Sequence, residues 1–103
     1  MNCEAIFVED ISSETVILIA PSENSDVISG NIQFNWQEVP EANEYQIQIA
    51  TPNFDNAVQI ILDSTQVKTY LVKDLEIGDY EWRVKAYNSG YSTNYASNNL
   101  KVK

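Results

Sequence analysis

Tyr80-Glu81-Trp82-Arg83-Val84-Lys85-Ala86-Tyr87 is the stretch that decides the fold. Tyr80, Trp82, Val84 and Ala86 occupy every second position, and Glu81, Arg83, Lys85 and Tyr87 fill the positions between them. Side chains of an extended chain point alternately to its two sides, so this spacing predicts a strand with one buried and one wet face. Aromatic and β-branched residues suit such a half-buried pleated surface. Just upstream, Ile77-Gly78-Asp79 supplies turn chemistry, and just downstream Asn88-Ser89-Gly90 does the same.

The same alternation recurs on either side. Ile32, Phe34 and Trp36 are interleaved with Gln33, Asn35 and Gln37, and Tyr45, Ile47 and Ile49 with Gln46, Gln48 and Ala50. Four weaker runs complete the pattern. Residues 15–20 form an apolar run stopped by Pro21. Residues 57–63 carry Val58, Ile60 and Leu62, which are expected to face inward. Residues 68–73 would bury either Tyr70 and Val72 or, on the other face, Leu71. Residues 94–103 end in Leu100 and Val102. Turn formers separate them, including Pro21-Ser22-Glu23-Asn24-Ser25, Val39-Pro40-Glu41-Ala42-Asn43 and Thr51-Pro52-Asn53-Phe54-Asp55. Seven short strands with turns at this spacing predict an all-β fold, a two-sheet antiparallel sandwich.

Composition narrows the function classes. The chain has 103 residues, of which 44% are hydrophobic, enough for one small domain with a core. It has 15 acidic and 6 basic residues and a net charge of −9. That balance argues against a nucleic-acid partner, because neutralising phosphates takes clustered Lys and Arg. With no His and one Cys, the usual zinc sets and His-based triads are excluded. No cofactor is expected, and Asp55 and Asp63 lack the alternating oxygen ligands of a calcium loop. The carboxylates Glu38, Glu41, Glu44 and Asp63 have no spacing that pairs them for acid–base work, so no enzyme is expected. The longest apolar run, Val16-Ile17-Leu18-Ile19-Ala20, is far short of the roughly 20 residues that a spanning helix needs.

Charge is also unevenly placed. Residues 1–67 hold no Lys or Arg, and all six basic residues lie from Lys68 onward. Glu4, Glu9 and Asp10 belong to a leader, residues 1–13, ahead of the sandwich at residues 14–103. Within that leader Ile6, Phe7 and Val8 either stay mobile, add an edge strand or pack on the sandwich. In the late strands Arg83 and Lys85 share an outward face with Glu81, with Glu44 expected across from them on a neighbouring strand.

The order Phe34-Asn35-Trp36-Gln37-Glu38-Val39, then Ala42, Tyr45, Ile47 and Ile49, then Leu75-Glu76-Ile77-Gly78-Asp79-Tyr80-Glu81-Trp82 running on to Ala86-Tyr87-Asn88 resembles a fibronectin type III domain. The resemblance implies a seven-stranded, Ig-like fibronectin type III β-sandwich. In it Trp36 and Trp82 fill the space between the sheets, and Tyr80 closes a corner with its hydroxyl on nearby backbone. A narrower resemblance lies at the start. Cys3-Glu4, the acidic residues behind it and Ile11-Ser12-x-x-Thr15-Val16-x-Leu18-x-Ala20-Pro21 are similar to mature surface lipoproteins of Gram-negative gut anaerobes, some of them linked to glycan uptake. That resemblance implies lipidation at Cys3, export and a lipid-anchored place at the cell surface or outer membrane. The lipobox of that class is absent: only Met1 and Asn2 precede Cys3.

Together these readings describe a non-catalytic spacer or interaction module of a cell-surface lipoprotein, holding a downstream domain away from the membrane. The alternative is a glycan- or protein-binding domain. Its candidate residues are Asn88, Tyr91, Asn94 and Tyr95 of loop 88–95, where rings and amides suit stacking on sugars and bonding to hydroxyls. The same rings could instead lie back and close the end of the sandwich. A second candidate surface is the polar sheet face bearing Gln46, Gln48, Arg83 and Lys85.

Overall fold

The computed structural model describes residues 8–103, so Cys3, Glu4, Ile6 and Phe7 lie outside the described residues. Eight strands succeed one another: β1 Leu18–Ala20, β2 Ser25–Val27, β3 Gly30–Trp36, β4 Glu44–Thr51, β5 Gln59–Gln66, β6 Tyr70–Leu75, β7 Gly78–Tyr87 and β8 Ala96–Val102. They form a three-stranded sheet ordered β1-β3-β6 and a five-stranded sheet ordered β2-β8-β7-β4-β5. There is no helix among the described residues, and so none long and apolar enough to cross a membrane.

The alternating runs face each other across the sandwich. Phe34 and Trp36 project from the small sheet; Ile47, Ile49, Trp82 and Val84 project from the large one, and all six are essentially inaccessible. Phe34 meets the Trp82 ring edge-on with centroids 5.1 Å apart, and Trp36 meets Tyr45 edge-on at 5.8 Å. Such offset and edge contacts are the favoured aromatic geometries and add to the area each ring buries. Neither indole N–H has a hydrogen-bond partner among the described residues, so both tryptophans act here through packing. Ile11 is also buried in this core, so packing begins upstream of residue 14.

The eighth strand is one that the turn-rich segment concealed. Pro21 has no N–H to continue a ladder, and β1 stops before it. The chain then turns through Asn24, whose φ of 58° is left-handed, and crosses to the other sheet. There β2 runs parallel to β8, with Ser25 beside Leu100 and Val27 beside Val102. The other strand pairings are antiparallel.

Two inward assignments are corrected next to and on β5, and one is settled on β6. Val58 and Ile60, inward by periodicity, are 85% and 48% exposed. The cause is an irregularity opposite Ile49 and Ala50: Leu62 pairs with Ile49 and Ile60 with Ala50, leaving Ile61 as the extra residue. An inserted residue offsets the facing of the strand on its two sides, and here Ile61 and Leu62 both pack on the core. On β6, Leu71 packs inward while Tyr70 and Val72 stay exposed.

The two ends of the described chain lie at opposite poles. Asn88, just past the end of β7, donates through Nδ2 to the Glu9 carbonyl at 2.9 Å, and the Val8 side chain lies against Gly90. At the other end Val102 pairs with Gly78, the first residue of β7, and Lys103 N donates to the Val27 carbonyl. The ten residues of β7 separate these two points, about 30 Å at the usual rise of an extended chain.

Candidate functional site

Strands β4 and β7 lie side by side in the large sheet, with Gln46 opposite Lys85 and Gln48 opposite Arg83. Because their inward neighbours are locked in the core, these four side chains must stand on the outer face. The Arg83 guanidinium carbon lies 3.9 Å from the centre of the Phe54 ring and 4.2 Å from that of Tyr95. Arg83 Nε donates to Gln48 Oε1 at 2.8 Å. Lys85 Nζ lies 5.2 Å from the same Tyr95 ring. A cation held against ring faces in this way is attracted by their quadrupoles, by roughly 0.5–1 kcal/mol per contact at exposed sites.

The face continues as a hydrogen-bonded chain. Tyr95 donates its hydroxyl proton to Gln46 Oε1 at 3.1 Å, and Gln46 Nε2 donates to Asp63 Oδ1 at 2.9 Å. Glu81 Oε1 accepts from the Phe54 amide at 2.9 Å, which fixes the loop that carries the second ring. Burial pushes the Tyr95 hydroxyl above the ordinary tyrosine value; Arg83 pulls against that, and Asp63 and Tyr87 add to it. The expected pairing of Arg83 and Lys85 with Glu44 is not what the sheet makes. Glu44 stands opposite Tyr87. The ion pair found among the described residues is Lys103 with Asp26, at the other pole.

Loop 88–95 is built by its own first residue. Asn88 Oδ1 accepts from the Gly90 and Tyr91 amides at 3.0 and 2.9 Å, and the Asn88 amide donates to the Tyr91 carbonyl. Asn88 Nδ2 reaches the Glu9 and Glu41 carbonyls. Both polar atoms of this side chain are thus engaged in holding the pole together. Thr93 is buried: its hydroxyl accepts from the Ala86 amide and donates to the Asn94 carbonyl. Asn94 itself is exposed. Tyr91 is 41% exposed, while Tyr95 is half-buried against Arg83.

Of the sequence-derived ligand candidates, the structure therefore places Asn88 in the loop scaffold and Asn94 at its surface. Tyr95 sits within the polar sheet face and Tyr91 at the face's edge. The loop and the sheet face, read from the sequence as two candidates, adjoin. Where they meet lies a shallow depression of about 360 Å³ lined by Gln46, Lys85, Tyr87, Tyr91 and Ser92 together with the loop backbone. Phe54 is a part of the face that sequence reading missed. Its one signal was a large ring in an otherwise polar turn. Among the described residues no group of three or more His, Cys, Asp or Glu is placed to hold a metal ion.

The remaining sequence-derived residues are structural in position. Trp36 and Trp82 lie between the sheets. Tyr80 is buried at the start of β7, and its hydroxyl donates to the Glu76 carbonyl at 2.9 Å. Gly78 lies against the Tyr80 ring, which an added Cβ would touch at 3.5 Å.

No family model matches the sequence, and no curated protein matches it. Solved structures do match. A fibronectin(III)-like module of Clostridium thermocellum CbhA superposes with a TM-score of 0.64 at 15% identity, covering 86% of this chain and 96% of that one. The fn3 domain of the human collagen alpha-1(XX) chain gives 0.65 at 16% identity, covering 82% and 79%. An Fn3-like protein from Clostridium thermocellum gives 0.54 at 17%, covering 86% of each chain. Identities this low speak to architecture alone. The two facing sheets, the tyrosine-closed corner at Gly78 and these superpositions establish that the chain has a fibronectin type III-like fold.

Proposed function

We propose that this chain is a non-catalytic spacer and interaction module of an exported surface lipoprotein, anchored through Cys3 and holding a further domain away from the membrane. The observation that carries the reading is the placement of the two ends of the described chain at opposite poles of β7. A unit that is entered at one pole and left at the other adds its full length, about 30 Å, to whatever it connects. The fold supports the non-catalytic part, since fibronectin type III-like domains are commonly non-catalytic modules. The depression on the sheet face is open and shallow, unlike the enclosed clefts that exclude water from a reaction.

Two measurements test it. Mass spectrometry of the protein from its native host should find a diacylglyceryl group on Cys3 as the first residue; an unmodified Cys3 would sink the anchor. Replacing residues 14–103 by an unrelated sandwich of equal end-to-end length should preserve the reach and function of the attached domain. Loss of function in that chimera would instead favour direct recognition. That second reading, a glycan- or protein-binding domain, is favoured by one observation: the loop and the polar sheet face form a single surface around Tyr91, Lys85 and Gln46.

A further inference from the structure

The outer face of the large sheet carries two cations without an ion-pair partner among the described residues, in a chain of net charge −9. Arg83 and Lys85 stand two residues apart on one side of β7, so their charges repel across one pleat. Neither has a carboxylate within ion-pair distance among the described residues; their partners are a glutamine oxygen and aromatic rings. Of the carboxylates nearest in the register, Glu44 stands opposite Tyr87 and the other two are turned to neutral donors. Asp63 accepts from Gln46 Nε2, and Glu81 accepts from the Phe54 amide. Beside Lys85 lies the depression of about 360 Å³, with the Tyr91 ring 41% exposed at its rim and Gln46 and Ser92 in its wall. That volume falls at the small end of the range for small-molecule sites.

We propose that this depression is a subsite for an acidic sugar unit, a uronic-acid type residue within a glycan, and the proposal rests on the recognition reading above. Each part of such a unit has a counterpart. The carboxylate meets Lys85, with Arg83 behind it, and relieves their mutual repulsion. The apolar face of the pyranose ring lies on Tyr91. Ring hydroxyls bond to the Ser92 hydroxyl and to the second N–H and lone pair that Gln46 retains beside its bonds to Asp63 and Tyr95. The net negative charge of the chain opposes an anion only at long range, because at physiological ionic strength exposed charges beyond about 8 Å are largely screened. Within that range Lys85 lines the depression itself, whereas Glu44, Asp63 and Glu81 do not line it. A small concave site with one open ring suits a sugar better than a protein partner, whose interfaces are broad.

The test is a titration of the isotope-labelled 103-residue chain, followed by its amide resonances. The probes are a galacturonic acid oligomer, the galactose oligomer of equal length and a polyglutamate peptide of equal charge. The acidic oligomer is expected to move the Tyr87, Tyr91 and Ser92 amides to saturation. Lys85→Gln and Tyr91→Ala are each expected to weaken it by about tenfold, while Tyr91→Phe, which keeps the ring, binds like the parent. Unchanged spectra elsewhere certify that the variants are folded. Equal binding of the neutral oligomer, indifferent to Lys85→Gln, overturns the acidic specificity but leaves glycan recognition standing. Binding of polyglutamate alone at the same amides overturns the sugar in favour of an acidic peptide. Binding of none of the three overturns this proposal, and the chimera described above then decides the recognition reading by itself.

Discussion

On the outside of the five-stranded sheet the long side chains are engaged with one another: Arg83 between Phe54 and Tyr95, Gln48 on Arg83, Tyr95 on Gln46, Gln46 on Asp63. On the outside of the three-stranded sheet no hydrogen bond between side chains is made among the described residues. Ile17, Ile19, Tyr70 and Val72 are 44–56% exposed there, beside Asn35 and Gln33, with Lys68 over the Tyr70 ring. Both faces are the wet sides of strands with buried inner sides, so the difference lies in how each surface is finished. A surface of linked contacts holds its groups in one geometry, which a binding site requires. A surface of exposed apolar side chains without such links imposes less order.

The largest effect is expected where the two sheets share their support. Trp36→Ala removes a ring that reaches from the small sheet to Tyr45 and Trp82 on the large one. It should cost about 3–5 kcal/mol in chemical denaturation. A loss under about 1 kcal/mol would break the idea that both faces rest on one core.

Next comes the engaged face itself. Arg83→Ala removes two cation–ring contacts and the bond to Gln48, and should cost about 1–2 kcal/mol. The same substitution should broaden or shift the Phe54 and Tyr95 ring resonances. If neither stability nor those resonances move, the engaged face is no more ordered than the other one.

Tyr80→Phe, which deletes the hydroxyl on the Glu76 carbonyl, should cost about 0.5–1.5 kcal/mol. A pH series sharpens this. Burial raises the Tyr80 pKa above its ordinary value of 10.0, with Glu76 adding to the rise, and burial raises Tyr95 likewise. The folded chain therefore holds these protons more firmly than the unfolded chain. Their contribution is whole below pH 10 and is lost as pH rises through the raised folded values. The urea midpoint should fall in that alkaline window, and Tyr80→Phe should flatten the fall. A fall of equal steepness in the variant would place the effect elsewhere.

The smallest effect belongs to the other face. Ile19→Thr and Val72→Thr exchange exposed side chains for others that suit a strand, and each should change stability by no more than about 0.5 kcal/mol. A larger loss in either would show that the apolar face is ordered after all and erase the contrast between the two surfaces.

Much of this fold was legible in the sequence. The alternation of Ile32-Phe34-Trp36, Tyr45-Ile47-Ile49 and Tyr80-Trp82-Val84 decided which residues face inward, because a strand has a period of two and one face must be dry. The Gly78 corner closed by Tyr80 was legible through the resemblance to fibronectin type III domains. Other assignments needed tertiary information. Val58 and Ile60 look inward by period, but the extra residue at Ile61 breaks the period, and nothing local marks a bulge. Ser25 falls in the predicted turn 21–25 and Asp26 and Val27 in no predicted strand; the three become a strand because β8 offers them a free edge.

The candidate site divides in the same way. Sequence alone supplied the polar face of β4 and β7 and the ring-bearing loop, each from residues close together along the chain. That the two adjoin was decided by the fold. So was the arrival of Phe54 beside Arg83 from a distant turn. So was the placement of Arg83 and Lys85 without a carboxylate partner among the described residues, in a chain with 15 acidic groups. Periodicity is a property of neighbours in sequence, and the charge, ring and amide that make a surface are neighbours only in space.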